Sequence, residues 1–242
     1  HPAAVVATLG STGIGAIDPL KEIAAVARAE DVYLHVDAAW AGAALLLEEW
    51  RWMIDGVAGA DSFVFNPHKW LGVQFDCAAH FVREPGVLTA ALGIQPSYLT
   101  SKETGAVVDY RDWSIPLGRR FRALKLWFTL RAYGLEALRA MIRDHIAWTG
   151  ELAERIAAAP DFELTTAPSL ALLTFRHVPA GVDDLDAHNR ALLERVNDDG
   201  FLYLTPHTHR GRAVIRWSIG ARTTERRHVF EAFARVEQLA RG

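Results

Sequence analysis

Short apolar runs alternate along the chain with stretches of helical spacing. Ala4-Val5-Val6-Ala7-Thr8-Leu9 is apolar at successive positions, the pattern of a strand buried on both faces of a parallel sheet. A Gly10-Ser11-Thr12-Gly13 turn follows. Leu20, Ile23, Ala24 and Ala27 then recur at helical spacing and predict a helix over Leu20–Ala29. Tyr33-Leu34-His35-Val36 reads as a second strand ending at Asp37. Ser62-Phe63-Val64-Phe65 reads as a third, ending at Asn66-Pro67-His68-Lys69. A fourth apolar run covers 77–82. Strands alternating with helices predict parallel βαβ units and an α/β fold.

From about Pro85 to Pro116 the periodicity stops, and glycines and prolines predict a long loop. Helices are predicted over 119–133 and 135–159. A second α/β pattern follows, with strands near 163–165, 170–175, 202–205 and 213–218 and a helix near 185–198. A last helix begins at Thr223, the expected N-cap, with Glu225 in its first turn. The boundary between two domains is expected inside the long helical stretch. That makes 1–145 part of a larger domain with a parallel sheet, and 146–242 a small C-terminal α/β domain. Residue 1 is His, the only methionines are Met53 and Met141, and an apolar strand opens the chain. These features read as a chain whose N-terminal part is missing, expected to be inactive by itself.

Composition narrows the partners. Twenty-six basic residues against 29 acidic ones leave a net charge of −3, which argues against nucleic acid. No apolar run approaches the roughly 18 residues of a membrane span, and no secretory signal opens the sequence. The single cysteine, Cys77, excludes an internal disulfide and fits a cytoplasmic setting. His207 and His209 form an H-x-H pair, but no third ligand stands at a characteristic spacing, so no metal is expected.

The candidate chemistry lies at strand ends, where open α/β sheets bind ligands. Thr8, Asp37 and the Asn66-His68-Lys69 cluster occupy three such ends, and parallel strands would gather them in one crevice. A carboxylate converging with a lysine is what a pyridoxal cofactor requires: the amine condenses with the aldehyde, and the carboxylate keeps the pyridine nitrogen protonated. Each residue also has a plainer reading. A lone lysine after a strand is usually a surface charge, and Asp37 suits a turn or cap. Two neighbourhoods tip the balance: Asn66-Pro67-His68 with Trp70 around the lysine, and the small residues Ala38, Ala39 and Gly42 after Asp37. The latter suggest close approach of a flat ligand. Arg119, Arg120, Arg122, Lys125 and Arg131 read as a solvated basic face.

His35-Val36-Asp37-Ala38-Ala39-Trp40-Ala41-Gly42 and Asn66-Pro67-His68-Lys69-Trp70 together resemble the pyridoxal-phosphate-dependent group II decarboxylases, nearest the aromatic-L-amino-acid branch. The resemblance continues through Asp109-Tyr110-Arg111-Asp112-Trp113 and 115–122, and covers essentially the whole chain. It implies a homodimer of the aspartate-aminotransferase-like fold, fold type I, and pyridoxal 5'-phosphate as cofactor. By resemblance, Lys69 carries the cofactor, Asp37 pairs with the pyridine nitrogen, and Ala39 lies against the ring. Thr8 lies beside the cofactor, Asn66 and His68 reach its phosphate, and Gly118 serves the partner's phosphate site. Tyr98 matches the tyrosine of a mobile catalytic loop and returns a proton to Cα, with His68 nearby. Arg216 matches an arginine on the substrate-carboxylate side. The implied reaction releases CO2 from an L-amino acid, most simply an aromatic one. The alternatives are a glutamate or histidine decarboxylase, an aldehyde synthase, another fold type I enzyme, or a non-catalytic dimerisation fragment.

Overall fold

The computed structural model describes residues 1–93 and 107–242, which fold around two four-stranded sheets. The first sheet has the order β1 (Ala4–Thr8), β2 (Tyr33–Asp37), β3 (Ser62–Phe65), β4 (Ala79–Val82). β1 pairs with β2 and β2 with β3 in parallel, whereas β4 runs antiparallel to β3. The all-parallel expectation therefore fails at β4. Only 13 residues separate Phe65 from Ala79, and they are spent on the tight turn that carries Lys69, which leaves no crossover helix to reverse direction.

Helix α1 (Leu20–Ala29) makes the crossover from β1 to β2, burying Leu20, Ala24 and Ala27. Between β2 and β3 the chain instead takes three 3₁₀ segments, Ala41–Leu46, Glu48–Ile54 and Val57–Gly59, which the sequence pattern did not predict. β1 is not buried on both faces: Ala7 is fully buried, but Val6 is 55% exposed.

The stretch expected to be loop contains a short helix, α2 (Pro85–Leu92), with proline in its first turn, and a 3₁₀ turn at Tyr110–Trp113. Two helices follow. α3 (Arg122–Tyr133) ends at Gly134, and α4 (Leu135–Ala158) runs 24 residues. α4 passes through the expected domain boundary without a break. Its buried stripe is Leu138, Ile142, His145, Thr149, Leu152 and Ile156, a spacing of four and three residues that keeps one face inward.

The second sheet has the order β5 (Phe162–Leu164), β6 (Leu172–His177), β8 (Arg212–Ser218), β7 (Thr205–His209), with every pair antiparallel. β7 lies several residues beyond the predicted strand, because Leu202 and Leu204 are used as packing residues before the strand begins. α5 (Leu185–Asp199) is capped by Asp184, whose carboxylate accepts the backbone N–H groups of Asp186 and Ala187. α6 (Arg226–Arg241) is capped by Glu225 rather than Thr223, in a capping box closed by His228. One apolar core links the first sheet, α4, the second sheet and α6.

Candidate active site

The parallel register brings the predicted residues to one edge. Thr8 lies opposite Asp37, and Asp37 opposite Val64, so all three strands finish together. Backbone bonds continue past their ends. The Leu9 N–H donates to the Asp37 carbonyl at 2.8 Å, Ala38 to Val64 at 2.9 Å, and Asn66 to Ala39 at 2.9 Å. Thr8 is held by Asp18, which accepts the Thr8 N–H on Oδ2 at 2.7 Å.

Asp37 uses one carboxylate oxygen locally: Oδ1 accepts the Ala39 N–H at 2.9 Å. Oδ2 has no hydrogen-bond partner among the described residues. Lys69 closes a turn in which its N–H donates to the Asn66 carbonyl at 2.9 Å. Its side chain is exposed, and its amine makes no hydrogen bond or ion pair among the described residues. The Asn66 Oδ1 is buried with no partner among the described residues. A buried amide oxygen left unsatisfied is costly, so this side chain fits a polar ligand at the strand edge. His68 meets the backbone of Cys77 through Nδ1, at 2.8 Å from the carbonyl and 3.0 Å from the nitrogen, which leaves Nε2 uncommitted among the described residues. Its ring stands edge-on to Phe75 with centroids 4.8 Å apart.

Gly118 borders a hollow of about 480 Å³ that His68 also lines, together with Arg119, Arg120 and Arg122. Arg122 is bound to Asp76 at 3.0 Å, and this pairing holds the Asp76 carboxyl below the usual carboxylate range. The basic residues therefore include at least one paired member rather than a uniform solvated face. Arg216 approaches from the second sheet. Its Nε donates to the Thr12 carbonyl at 2.6 Å, and burial lowers its pKa. Tyr98 lies outside the described residues.

Two readings change. Gly42 does not make room for a ligand: a Cβ there would lie 2.4 Å from the Phe65 Cβ, so its smallness serves β3 packing. His207 packs its ring where a Cβ on Gly13 would fall, 2.4 Å away, so it touches the turn after β1. Among the described residues no group of three His, Cys, Asp or Glu side chains is placed to hold a metal.

Several supporting residues escaped the sequence reading. The Trp40 and Trp70 indoles stack at 4.9 Å and 14°. The Trp70 Nε1–H donates to His145 Nδ1 at 3.0 Å. Arg222 donates to the Gly72 carbonyl at 3.1 Å, and Ser169 to the Gly15 carbonyl at 2.6 Å. The tryptophans stood beside the two motifs and were visible there. His145, Ser169 and Arg222 carried no local signal, because each acts across 75 residues or more.

This arrangement has close counterparts among known proteins. The pyridoxal-dependent decarboxylase conserved domain matches residues 1–178. A phenylacetaldehyde synthase from Arabidopsis thaliana is 43% identical over 97% of the chain, and an aromatic-L-amino-acid decarboxylase from Mus musculus is 43% identical over 99%. The chain spans about half the length of these curated relatives, 49% of each. Among solved structures, Oryza sativa TDC with PLP and tryptamine superposes with a TM-score of 0.93 at 35% identity, over 98% of this chain and 50% of that one. Catharanthus roseus tryptophan decarboxylase in complex with L-tryptophan gives 0.89 at 34%, over 98% and 50%. The fold is thus that of the fold type I decarboxylases. Since the matched segment contains the strands that end at Thr8, Asp37 and Asn66, the chain belongs to the pyridoxal-dependent decarboxylase family.

Proposed function

We propose that this chain carries the lysine side of a pyridoxal 5'-phosphate site that decarboxylates an L-amino acid, with an aromatic side chain preferred. The observation that carries this reading is the meeting, at one sheet edge, of a free Lys69 amine, an Asp37 carboxylate with one open oxygen, and an uncommitted Asn66 amide. When bound, the cofactor supplies an electron sink for the pair left on Cα as CO2 departs.

The protein's own groups supply the rest. Lys69 would hold the cofactor through its amine. Asp37, through Oδ2, would keep a proton on the ring nitrogen. A charge-assisted bond of that kind contributes about 1.5–3 kcal/mol, against about 1 for a neutral one. Asn66 and the free Nε2 of His68 face the anionic end, with Thr8 beside them. Ala39, with its small side chain, would lie against one ring face. Arg216 orients the substrate carboxylate, and Tyr98 returns a proton to Cα.

The aromatic preference rests on the relatives, which include an aromatic-L-amino-acid decarboxylase, tyrosine decarboxylases from Narcissus pseudonarcissus and a tryptophan decarboxylase. We further propose a homodimer in which Gly118 serves the partner's phosphate site. α3 supports it by exposing Leu124, Trp127, Phe128 and Tyr133 on one element. Residues 1–145 and 146–242 are proposed as large-domain and small-domain portions. Among the described residues no helix is long and apolar enough to cross a membrane, and Cys77 is free and buried. Both fit the cytoplasmic setting we propose.

The test uses the natural protein that contains this chain. Borohydride reduction and peptide mapping should place the pyridoxyl group on Lys69, and a label on Lys125 instead would overturn the assignment. CO2 release from DOPA, tryptophan, tyrosine or phenylalanine should exceed that from glutamate and histidine. Faster turnover of either of the latter would overturn the aromatic preference.

A further inference from the structure

We infer that His145, on α4, is a positioning residue for the Lys69 turn, acting through the indole of Trp70. This rests on the reading of Lys69 as the cofactor lysine.

Trp70 follows Lys69 directly and is 1% exposed. Its only polar atom, Nε1, donates to His145 Nδ1 at 3.0 Å. An indole can only donate, so Nδ1 must be the unprotonated nitrogen and the imidazole proton sits on Nε2. Yet Nε2 is buried without a partner among the described residues, in a side chain that is fully buried. A residue present only to fill space would carry no such burden, because leucine at this helix position fills the gap with no stranded N–H. What this histidine supplies that leucine could not is its Nδ1.

That nitrogen fixes which edge of the indole faces α4 and so prevents the ring from flipping. The fixed ring stacks on Trp40 at 4.9 Å and 14°. Trp40 stands three residues after Asp37, and a Cβ on Gly10, two residues after Thr8, would lie 3.0 Å from it. One indole stack, with Trp70 buried and Trp40 partly so, therefore underlies the strand ends, and among the described residues His145 is its only hydrogen-bonded anchor outside the first sheet. A tilt of the Trp70 ring would move the backbone of Lys69 while leaving Asp37 in its sheet, and the two groups would lose their mutual placement.

The experiment uses the natural protein containing this chain, with His145→Leu, His145→Asn, Trp70→Phe and the double variant His145→Leu/Trp70→Phe. Leu152→Ala, a core truncation on the same helix, is the control. Each is assayed for melting temperature, affinity of the apoprotein for pyridoxal phosphate, the fraction fixed on Lys69 by borohydride, and kcat and KM separately. His145→Leu should weaken cofactor capture and lower kcat about tenfold, the size of one lost hydrogen bond with a stranded donor, with KM changed less than about twofold. His145→Asn, which keeps an acceptor at the Nδ1 position, should recover most of the loss. In the Trp70→Phe background, His145→Leu should add less than about twofold. Leu152→Ala should lower the melting temperature without the tenfold loss of capture.

Wild-type capture and kcat in a folded His145→Leu would overturn the inference. So would losses that merely follow melting temperature across the set, control included. If His145→Leu does not fold, Trp70→Phe deletes the same bond from the other side, and unchanged capture there overturns it equally. A wild-type protein not labelled at Lys69 would overturn the cofactor reading and this inference together. A labelled wild type with indifferent variants overturns the inference alone.

Discussion

Arg216 on β8 donates Nε to the Thr12 carbonyl at 2.6 Å, which ties the second sheet to the turn after β1. A second donor, Nη1, lies 3.4 Å from Thr205 Oγ1. The guanidinium is thus spread over two elements, and burial lowers its pKa while leaving it charged at neutral pH. Arg216→Lys keeps the charge and loses the planar fork. The expected result is a fall in kcat/KM of roughly 10- to 100-fold, the equivalent of one charged hydrogen bond at about 1.5–3 kcal/mol. Unchanged kcat/KM would remove Arg216 from the substrate site.

Two glycines should respond to alanine with opposite signs. At Gly42 a Cβ would lie 2.4 Å from the Phe65 Cβ, so Gly42→Ala overpacks the layer under β3. The expected loss is about 1–3 kcal/mol, a drop in Tm of roughly 2–10 °C. Gly150 lies inside α4, and a Cβ there meets nothing within 4 Å. Gly150→Ala should therefore stabilise by about 0.5–1 kcal/mol through helix propensity alone. Thermal melts of the two variants beside the parent protein decide both.

The His177–His188 pair gives the second sheet a pH dependence. His177 Nδ1 and His188 Nε2 are 2.8 Å apart, so one ring donates and the other accepts while both are neutral. Burial lowers both pKa values; for His177 its neighbour His188, with Arg195 and Arg241, pushes the same way, and Asp161 opposes. Their folded values lie below the ordinary 6.5, so the unfolded chain binds protons that the folded pair resists. Stability should then fall as pH drops from about 6.5 toward the folded values. Glu49, Asp76, Asp199 and Glu225 are lowered by their arginine partners and act in the same direction, but in the lower carboxylate window. Urea melts at pH 7.5 and 5.5 should show a smaller difference for His188→Gln than for the parent. An equal difference would mean the pair is not held neutral by the fold.

Tyr98 is expected to decide between amine and aldehyde as products. In the proposed reading its hydroxyl returns a proton to Cα, and without it the electron-rich carbon would survive long enough to meet oxygen. Tyr98→Phe should lower amine yield and raise aldehyde, ammonia and peroxide, measured together under air. Unchanged ratios would take Tyr98 out of the proton-donor role.

The strand ends were legible because their signals are local. Phe63, Val64 and Phe65 give a strand, Asn66-Pro67 a turn, and the lysine follows at once. The spacing of Leu20, Ile23, Ala24 and Ala27 gave α1 to the residue. What failed depends on partners distant in sequence. The direction of β4 is set by pairing Phe63 with Phe81, which no period encodes. The start of β7 is set by which residues meet Val214 and Arg216 on β8. The N-cap of α6 moved from Thr223 to Glu225 because His228 could close the box, a contact between side chain and backbone that composition alone does not rank. His145 was hidden in an apolar stripe, where one more inward residue looks like packing.

α4 is about 36 Å of continuous helix at 1.5 Å per residue, and it touches β5 and β6 of the second sheet, the 3₁₀ segment after Asp37 and α6. A beam shared in this way removes the usual place for a hinge. At its far end, a rotation of 1° displaces the tip by about 0.6 Å, a perceptible fraction of the tolerance within which reacting groups must be held. Motion of the C-terminal sheet is therefore delivered to the Trp70 indole as leverage rather than absorbed between independent bodies.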